Sequence, residues 1–220
     1  MEYKLSKFIK KYFGRYIDTY LPGEKEVLFE KAEPYFDRFM HEAPDFGGKD
    51  NMMASNMDIT AAFFAFYEAS DHRIDGRAIL VLIDWLYEDY KWVTFLTDMN
   101  KRKYVKPLYY KIYRKHAKEV EEHKKKGEWM GTWSFQINPD GREEGIYYHM
   151  IGCPLYSFVK EHGYENLMPY VCKFDFIFER FLHARLIRTQ TEATGGSYCD
   201  YWFVADKSRT AEKYKDFKSV

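Results

Sequence analysis

The apolar pattern of this chain changes its period near residue 128, and this change constrains the fold more than any other feature. Before it, apolar residues recur every three to four positions, the spacing of one helical face. After it, Trp129, Gly131, Trp133 and Phe135 alternate with other residues at the two-residue period of a strand. The sequence therefore predicts a helical first part followed by a part that contains a sheet.

The helical part carries four clear apolar stripes, which predict helices within residues 5–20, 28–40, 59–67 and 79–90. A fifth helix over about 100–125 is predicted from Lys and Glu content alone. The high Tyr and Phe counts, 20 and 18, supply enough aromatic surface for a sizeable core.

The second part has turn and helix-start signals in an order that predicts two strands, two helices and two strands. Asn-Pro-Asp-Gly at 138–141 predicts a turn, and 145–152 the returning strand. Pro154 and Asn166 suit the first turns of two helices, and the last strands are predicted over about 184–191 and 197–204. The order predicts an antiparallel sheet with helices on one face, the α+β class.

No long linker separates the two parts, so we expect one cooperative unit. Its predicted divisions are a helical part over 1–127, the sheet with two helices over 128–205, and a polar, loosely held tail over 206–220.

Charge and hydropathy exclude several classes of partner. Lys and Arg number 34, as do Asp and Glu, whereas non-specific nucleic-acid binders carry a basic excess. No apolar run reaches the roughly 20 residues that span a bilayer, and the first residues lack the continuous apolar stretch of a secretory signal. We therefore expect a cytoplasmic protein with reduced thiols and no nucleic-acid or membrane partner.

All three cysteines fall in the second part, near the ends of predicted elements: Cys153, Cys172 and Cys199. Each suits a buried core position. Because Cys153 and His149 share parity along the predicted strand, they could also form a pair that activates a thiolate. With Cys199 and either Asp175 or Asp200 they could instead ligate a metal, although no Cys-x-x-Cys or His-x-x-x-His spacing occurs. The residues alone leave these interpretations open.

Asp175 stands among apolar neighbours on its predicted helix, where an unpaired carboxylate is costly. One interpretation is a general base with a raised pKa. The other is a partly exposed edge position, or a pair with Lys173 or Arg180, and the two interpretations weigh equally.

The stretch RTQTEATGGSYCDYWF, residues 188–203, combines a strand arginine with threonines and a Gly-Gly turn. The planar fork of Arg188 suits a carboxylate, and Gly195-Gly196 permits a tight turn. On the residue types alone, an ordinary hairpin is the favoured interpretation.

The same stretch resembles the carboxy-terminal signature of the L-2-amino-thiazoline-4-carboxylic acid hydrolase family. The residues that carry the signature are Arg188, Thr189, Thr191, Gly195, Cys199, Asp200, Tyr201 and Phe203. Upstream, Cys153-Pro154, Cys172-x-x-Asp175 and FGGKDN at 46–51 resemble further family segments. Glu192 departs from the pattern, since an apolar residue is expected there.

The resemblance implies a hydrolase that uses water to open a thiazoline ring, giving N-carbamoyl-L-cysteine. It implies a small-molecule substrate whose carboxylate meets Arg188, a thiolate or activated-water nucleophile, and no cofactor or metal. The implied substrate-binding residues are Arg188, Thr189, Thr191 and Asn51, and the implied catalytic candidates are Cys153, Cys199, Asp175, Asp200 and His149.

Two other interpretations remain at this point. The strand and helix order with spaced cysteines also resembles a non-enzymatic, ligand- or metal-sensing domain of the vinyl-reductase type. Alternatively, the aromatic face of the first helix, with Phe8, Tyr12 and Tyr16, could dock a partner. A homodimer is left open by the sequence.

Overall fold

The computed structural model describes residues 2–220, and its first part is helical as the stripes predict. The helices of this part are α1 (Lys7–Tyr20), α2 (Lys25–Glu42), α3 (Ser55–Ala69), α4 (Gly76–Tyr90), the short α5 (Thr94–Thr97) and α6 (Val105–Lys125). Side-chain caps define two of the starts: Ser6 accepts from the Ile9 amide and Asp75 from the Arg77 amide.

The second part contains a four-stranded sheet in the order β1-β2-β4-β3, with every neighbouring pair antiparallel. Its elements are β1 (Ser134–Ile137), β2 (Ile146–Ile151), α7 (Pro154–Glu161), α8 (Met168–Cys172), α9 (Ile177–Leu182), β3 (Ala184–Ile187), β4 (Cys199–Ala205) and α10 (Arg209–Lys213). The predicted α+β class is confirmed.

One face of the sheet packs against helices of the first part. In the central pair, Tyr148 lies opposite Tyr201 and Met150 opposite Cys199, and these four side chains point toward the helices. The apolar core is continuous across the boundary near residue 128, since one cluster contains residues of α1 and α3 as well as of β2 and β4. Cooperative unfolding of the two parts stays a prediction.

The aromatic face of α1 is used internally. Tyr12 and Tyr16 are buried, and Phe13 stacks on Phe66 of α3 with centroids 4.4 Å apart. Of the three residues named for docking, Phe8, Tyr12 and Tyr16, only Phe8 is exposed, at 39%. The docking interpretation therefore loses its basis.

The first predicted strand begins five residues late. Residues 129–133 form a turn that packs on the loop after α2: the amides of Trp129 and Gly131 donate to Asp45, 2.9 Å in each case. A side chain at Gly131 would overlap Pro44, and one at Gly47 would overlap the Trp129 ring. The alternation at 129–133 thus reflects loop packing, and only Ser134–Ile137 pairs as a strand.

The long helix predicted after Asn166 is interrupted. A 3₁₀ turn at Lys173–Phe176 separates α8 from α9 and carries Asp175. Such a turn within a helical stretch changes the direction of its side chains, and here the Asp175 carboxylate is bonded to residues of the sheet part.

The tail after residue 205 is docked, contrary to the expectation of a loosely held segment. Ala211 of α10 packs on Ile187 and Val204, on the outer face of the sheet. Ser219 donates to the Leu186 carbonyl (2.6 Å) and accepts from the Arg188 amide (3.0 Å). The predicted strand over 184–191 ends at Ile187 because the amides of residues 188–190 donate to Ser219 of the tail and to the side chain of Asp200, although the Gln190 carbonyl still accepts from the Asp200 amide of β4.

Candidate active site

A cavity of about 520 Å³ lies between the helical part and the inner face of the sheet. Helices α1, α3, α4 and α6 line one side, and β2, β4 and the segment from α7 to α9 line the other. The surfaces of these elements that face one another carry large apolar residues, and these residues form most of the cavity wall. Its few polar groups therefore decide its chemistry.

The strongest polar cluster of the cavity is formed by Asp175, Arg188 and Tyr201. One oxygen of Asp175, Oδ2, accepts from the Arg188 Nη1 at 2.7 Å and from the Tyr201 hydroxyl at 2.9 Å. The other oxygen, Oδ1, accepts no hydrogen bond from residues 2–220. About a third (33%) of the Asp175 side chain is accessible, and since it lines the cavity, that surface faces the cavity interior.

The surroundings of Asp175 tune its basicity. Burial raises the pKa of its carboxyl, while the charge of Arg188 and the bonds from Tyr201 and Arg188 oppose this shift without cancelling it. A carboxylate of raised pKa with one free oxygen can accept a proton from a group in the cavity. The predicted pairing with Lys173 or Arg180 is wrong, since Asp175 pairs with Arg188 and Arg180 pairs with Asp84. Pairing with Arg188 remains compatible with a role as a base.

Arg188 is the largest fully buried polar side chain, at 1% exposure. Its Nη2 donates to the Cys172 carbonyl at 3.2 Å, and its Nε donates to the backbone oxygen of Val220. With the Asp175 bond, three of its five N–H groups are used by the protein. Arg188 therefore holds the Asp175 carboxylate in place and puts a positive charge at the cavity wall.

The three cysteines are free and all line the cavity. Cys153 caps α7, with its sulfur 3.4 Å from the Tyr156 amide, and the sulfur of Cys199 accepts from the Glu192 amide at 3.5 Å. Burial raises the pKa of Cys199 to about 11 and that of Cys172 to about 12, and it raises the pKa of Cys153 further. The resting groups are therefore neutral thiols, which are poor nucleophiles.

Glu192, the departure from the family pattern, has a structural role. Its carboxylate accepts from the Gly152 amide at 2.6 Å and from the Cys153 amide at 2.8 Å. It thereby connects the loop after β3 to the start of α7, beside two of the three thiols. No sequence pattern pairs these segments, which lie 40 residues apart.

His149 lies on the opposite face of the sheet from the cavity, so the expected His149–Cys153 pair does not form. The strand alternation that would put His149 and Cys153 on one face does not reach Cys153. The strand ends at Ile151, and Gly152 adopts a left-handed conformation (φ 74°) before Cys153. The Nε2 atom of His149 is 2.7 Å from the Tyr147 hydroxyl, and the ring stacks on Tyr198. Burial lowers the pKa of His149.

Asp200 also faces away from the cavity, as the alternation with Cys199 predicts. Its carboxylate accepts from the Thr189 amide and hydroxyl and from the Gln190 amide, at 2.8 to 2.9 Å. These hydrogen bonds use both oxygens of Asp200 and the Thr189 hydroxyl. They stabilise the chain between β3 and β4 on the side of the sheet away from the cavity.

The remaining substrate-binding candidates divide between the wall and its support. Thr191 lines the cavity and caps the 3₁₀ turn Glu192–Thr194. Asn51 does not line it: its side chain donates to Thr132 (3.0 Å) and accepts from the Met53 amide (2.8 Å). This anchors the loop whose Met52 and Met53 contribute to the lining.

A group of tyrosines at the cavity is absent from the predicted site. The Tyr109 hydroxyl donates to that of Tyr113 at 2.9 Å, and the Tyr148 ring stacks on Tyr201 at 4.9 Å. Burial raises the pKa of Tyr148 and Tyr201 well above the usual value, so both remain proton donors. One signal could have indicated Tyr109 and Tyr113, which are four residues apart on a helix. The pairing of Tyr148 with Tyr201 joins strands that are not consecutive in the chain, so no local pattern gives it.

Within residues 2–220, no three His, Cys, Asp or Glu side chains are grouped so that they could hold a metal ion. In the same range, no helix has the length and apolarity needed to cross a membrane.

The fold is α+β, and it places a largely apolar cavity between the helices and the sheet, with the Asp175 carboxylate and the Arg188 guanidinium on its wall. The profile of the L-2-amino-thiazoline-4-carboxylic acid hydrolase family matches residues 55–203, which include every cavity residue that carries an ionisable side chain. The chain belongs to this family. Searches of curated proteins and of solved structures find no match.

Proposed function

We propose that the protein is a hydrolase that opens a cyclic substrate at a carbon bonded to nitrogen and sulfur, with Asp175 as the catalytic base. The observation that carries the proposal is the free Oδ1 of Asp175, a carboxylate of raised pKa that faces the cavity. Family membership supports the reaction class, which the name of the family states.

The proposed reaction balances with one water and one carboxylate. Asp175 takes a proton from water as the oxygen bonds to the ring carbon, and the carbon–nitrogen π electrons move to the ring nitrogen. That nitrogen receives the proton from Asp175. Asp175 next takes the new hydroxyl proton, the carbon–sulfur bond breaks as the carbonyl forms, and the departing sulfur receives the proton. Asp175 ends ionised and a urea with a free thiol is released.

Water is favoured over a cysteine as the nucleophile because burial raises the pKa of all three thiols. The start of α7 near Cys153 would favour a thiolate, but burial outweighs this effect at that sulfur. Cys153, Cys172 and Cys199 instead shape the cavity wall beside Asp175.

The substrate carboxylate is proposed to be drawn by the charge of Arg188 and held by hydroxyl groups of the wall. The hydrogen bonds of Arg188 already used by the protein limit direct contact. Two N–H groups of the guanidinium have no acceptor among residues 2–220, and Thr191 offers a hydroxyl at the same wall. Arg188→Lys keeps the charge but loses the planar fork that holds Asp175, so we expect it to lower kcat as well as raise KM.

The test is release of a free thiol from 2-amino-thiazoline-4-carboxylate, followed with a thiol reagent. We expect Asp175→Asn to lower kcat by about 10²- to 10⁴-fold, the usual contribution of a general base. Asp140→Asn, at an exposed turn carboxylate, is the matched control and should retain activity. If Asp175→Asn retained activity while one cysteine-to-serine variant lost it together with a single fast-alkylating thiol, the thiolate mechanism would replace this one.

A non-enzymatic ligand-binding role is the second candidate, and the largely apolar lining of the cavity is the observation that favours it. It predicts tight binding of a ligand without turnover, and a binding constant insensitive to Asp175→Asn. The thiol-release assay separates the two candidates.

A further inference from the structure

The cavity is larger than the heterocycle in the name of the family requires. A cavity of roughly 150 Å³ holds benzene, so a substrate of about nine non-hydrogen atoms needs roughly 225 Å³. The cavity measures about 520 Å³. Space for roughly twelve further carbon atoms therefore remains after a small heterocycle is placed beside Asp175.

The lining of this remaining space is apolar. Away from the cysteines, tyrosines, Asp175 and Arg188, the wall offers few polar side chains, namely those of Ser55, Asn56, Thr60 and Thr191. The large side chains of the helical part that line the cavity are Phe13, Ile59, Phe63, Ile79 and Leu82. An apolar surface of this kind is suited to hydrocarbon and offers little to a second polar group.

The apolar space also has a direction. A narrow adjoining crevice shares Phe13, Ile59, Leu82 and Phe174 with the cavity and continues to Phe8 and Leu86. Phe174 is the chain neighbour of Asp175, so the apolar arm begins beside the carboxylate. From there it runs between α1, α3 and α4 toward Phe8, which is 39% exposed. The crevice itself holds only about 20 Å³. The space for a tail is therefore that of the main cavity, and the crevice indicates the direction in which the tail would run.

We infer that the ligand of this cavity carries an elongated apolar tail of about ten to twelve carbon atoms, which lies in the arm lined by Phe13, Ile59 and Leu82 while its polar head lies at Asp175. The identity of the head rests on the proposed function, whereas the tail rests only on the size, lining and direction of the cavity.

Calorimetric titration of the intact protein with two homologous series tests the tail. The probes are the straight-chain carboxylates and the 1-alkanols from six to fourteen carbons, below their aggregation limits. We expect Kd to fall by about fourfold for each added methylene in both series, because each buried CH₂ is worth about that factor. By volume the gain should persist through fourteen carbons, because the sixteen non-hydrogen atoms of tetradecanoate need roughly 400 Å³, less than the cavity volume of about 520 Å³.

Filling the arm should remove the chain-length dependence. Ile59→Trp places an indole in the space shared by the cavity and the crevice. The matched control is Val27→Trp, which adds the same group at a position 53% exposed on α2. We expect Ile59→Trp to raise the Kd for decanoate at least tenfold. Val27→Trp should leave that Kd unchanged. If thermal denaturation shows that Ile59→Trp is not folded, Leu82→Phe is a second substitution that fills less of the same space.

The two series separate this inference from the proposed function. A Kd that falls with chain length in both series supports the inferred apolar tail. Tighter binding of carboxylates than of alkanols of equal length supports the carboxylate of the proposed substrate. Dependence among alkanols with no preference for carboxylates supports the tail and counts against the carboxylate substrate. Equal Kd values across chain lengths in both series, or equal decanoate affinity in Ile59→Trp and the unaltered protein, would overturn the inference even if the small heterocycle is hydrolysed.

Discussion

At the scale of single residues, the balance around Asp175 predicts how activity depends on pH. A base must be ionised to work, so the rate should fall as the pH falls through the pKa of Asp175. Because burial raises that pKa, the fall should lie above the ordinary value of about 3.9. Arg188 and Tyr201 both lower the pKa toward the ordinary value. Removing either partner should therefore move the fall in activity to higher pH.

The measurement is the pH profile of kcat/KM for Arg188→Gln and Tyr201→Phe. Tyr148→Phe is the control, since it removes a hydroxyl from the same wall that donates no bond to Asp175. A profile unchanged in all three variants would show that another group supplies the base.

At the scale of elements, Glu192 connects the loop after β3 to the start of α7, and this predicts a measurable loss when it is changed. Each of its two charge-assisted bonds to the Gly152 and Cys153 amides is worth about 1.5–3 kcal/mol at most. Since the side chain is only half-buried, we expect Glu192→Ala to lower the free energy of unfolding by about 1–2 kcal/mol. Alkylation of Cys153 should also become faster, because the segment that carries it is less well held.

Chemical denaturation and timed alkylation give both quantities. Glu165→Ala, at an exposed glutamate of the neighbouring 3₁₀ turn Glu165–Leu167, is the matched control and should change neither. Equal effects at the two positions would mean that Glu192 does not connect the elements.

At the scale of the whole molecule, the continuous core predicts that the helical part and the sheet unfold together. Phe66 of α3 is fully buried (0% exposed) and stacks on Phe13. Phe66→Ala should lower the free energy of unfolding by about 3–5 kcal/mol. If the unit is cooperative, hydrogen exchange of β4 amides should lose the same amount of protection, although β4 is distant in sequence.

The exposed substitution Val27→Ala should leave exchange unchanged. Protection lost only in α1 to α4, or proteolysis into two stably folded fragments, would contradict a single unit.

The sequence by itself determined α1 to α4 and α6, the α+β class and the family, because these depend on local periodicity, composition and motif residues within one stretch; the short α5 was not predicted. Strand alternation, which is local, also accounts for Cys199 and Asp200 lying on opposite faces of β4. Tertiary structure decided the site. Gly152 turns the chain so that His149 and Cys153 separate, and a 3₁₀ turn aims Asp175 at Arg188.

The docking of the tail on Arg188 and the bond from Glu192 to the start of α7 were likewise decided in three dimensions. These contacts join residues about 30 to 40 positions apart. No local pattern specifies them, because each depends on which surfaces remain to be covered once the helices and the sheet have packed.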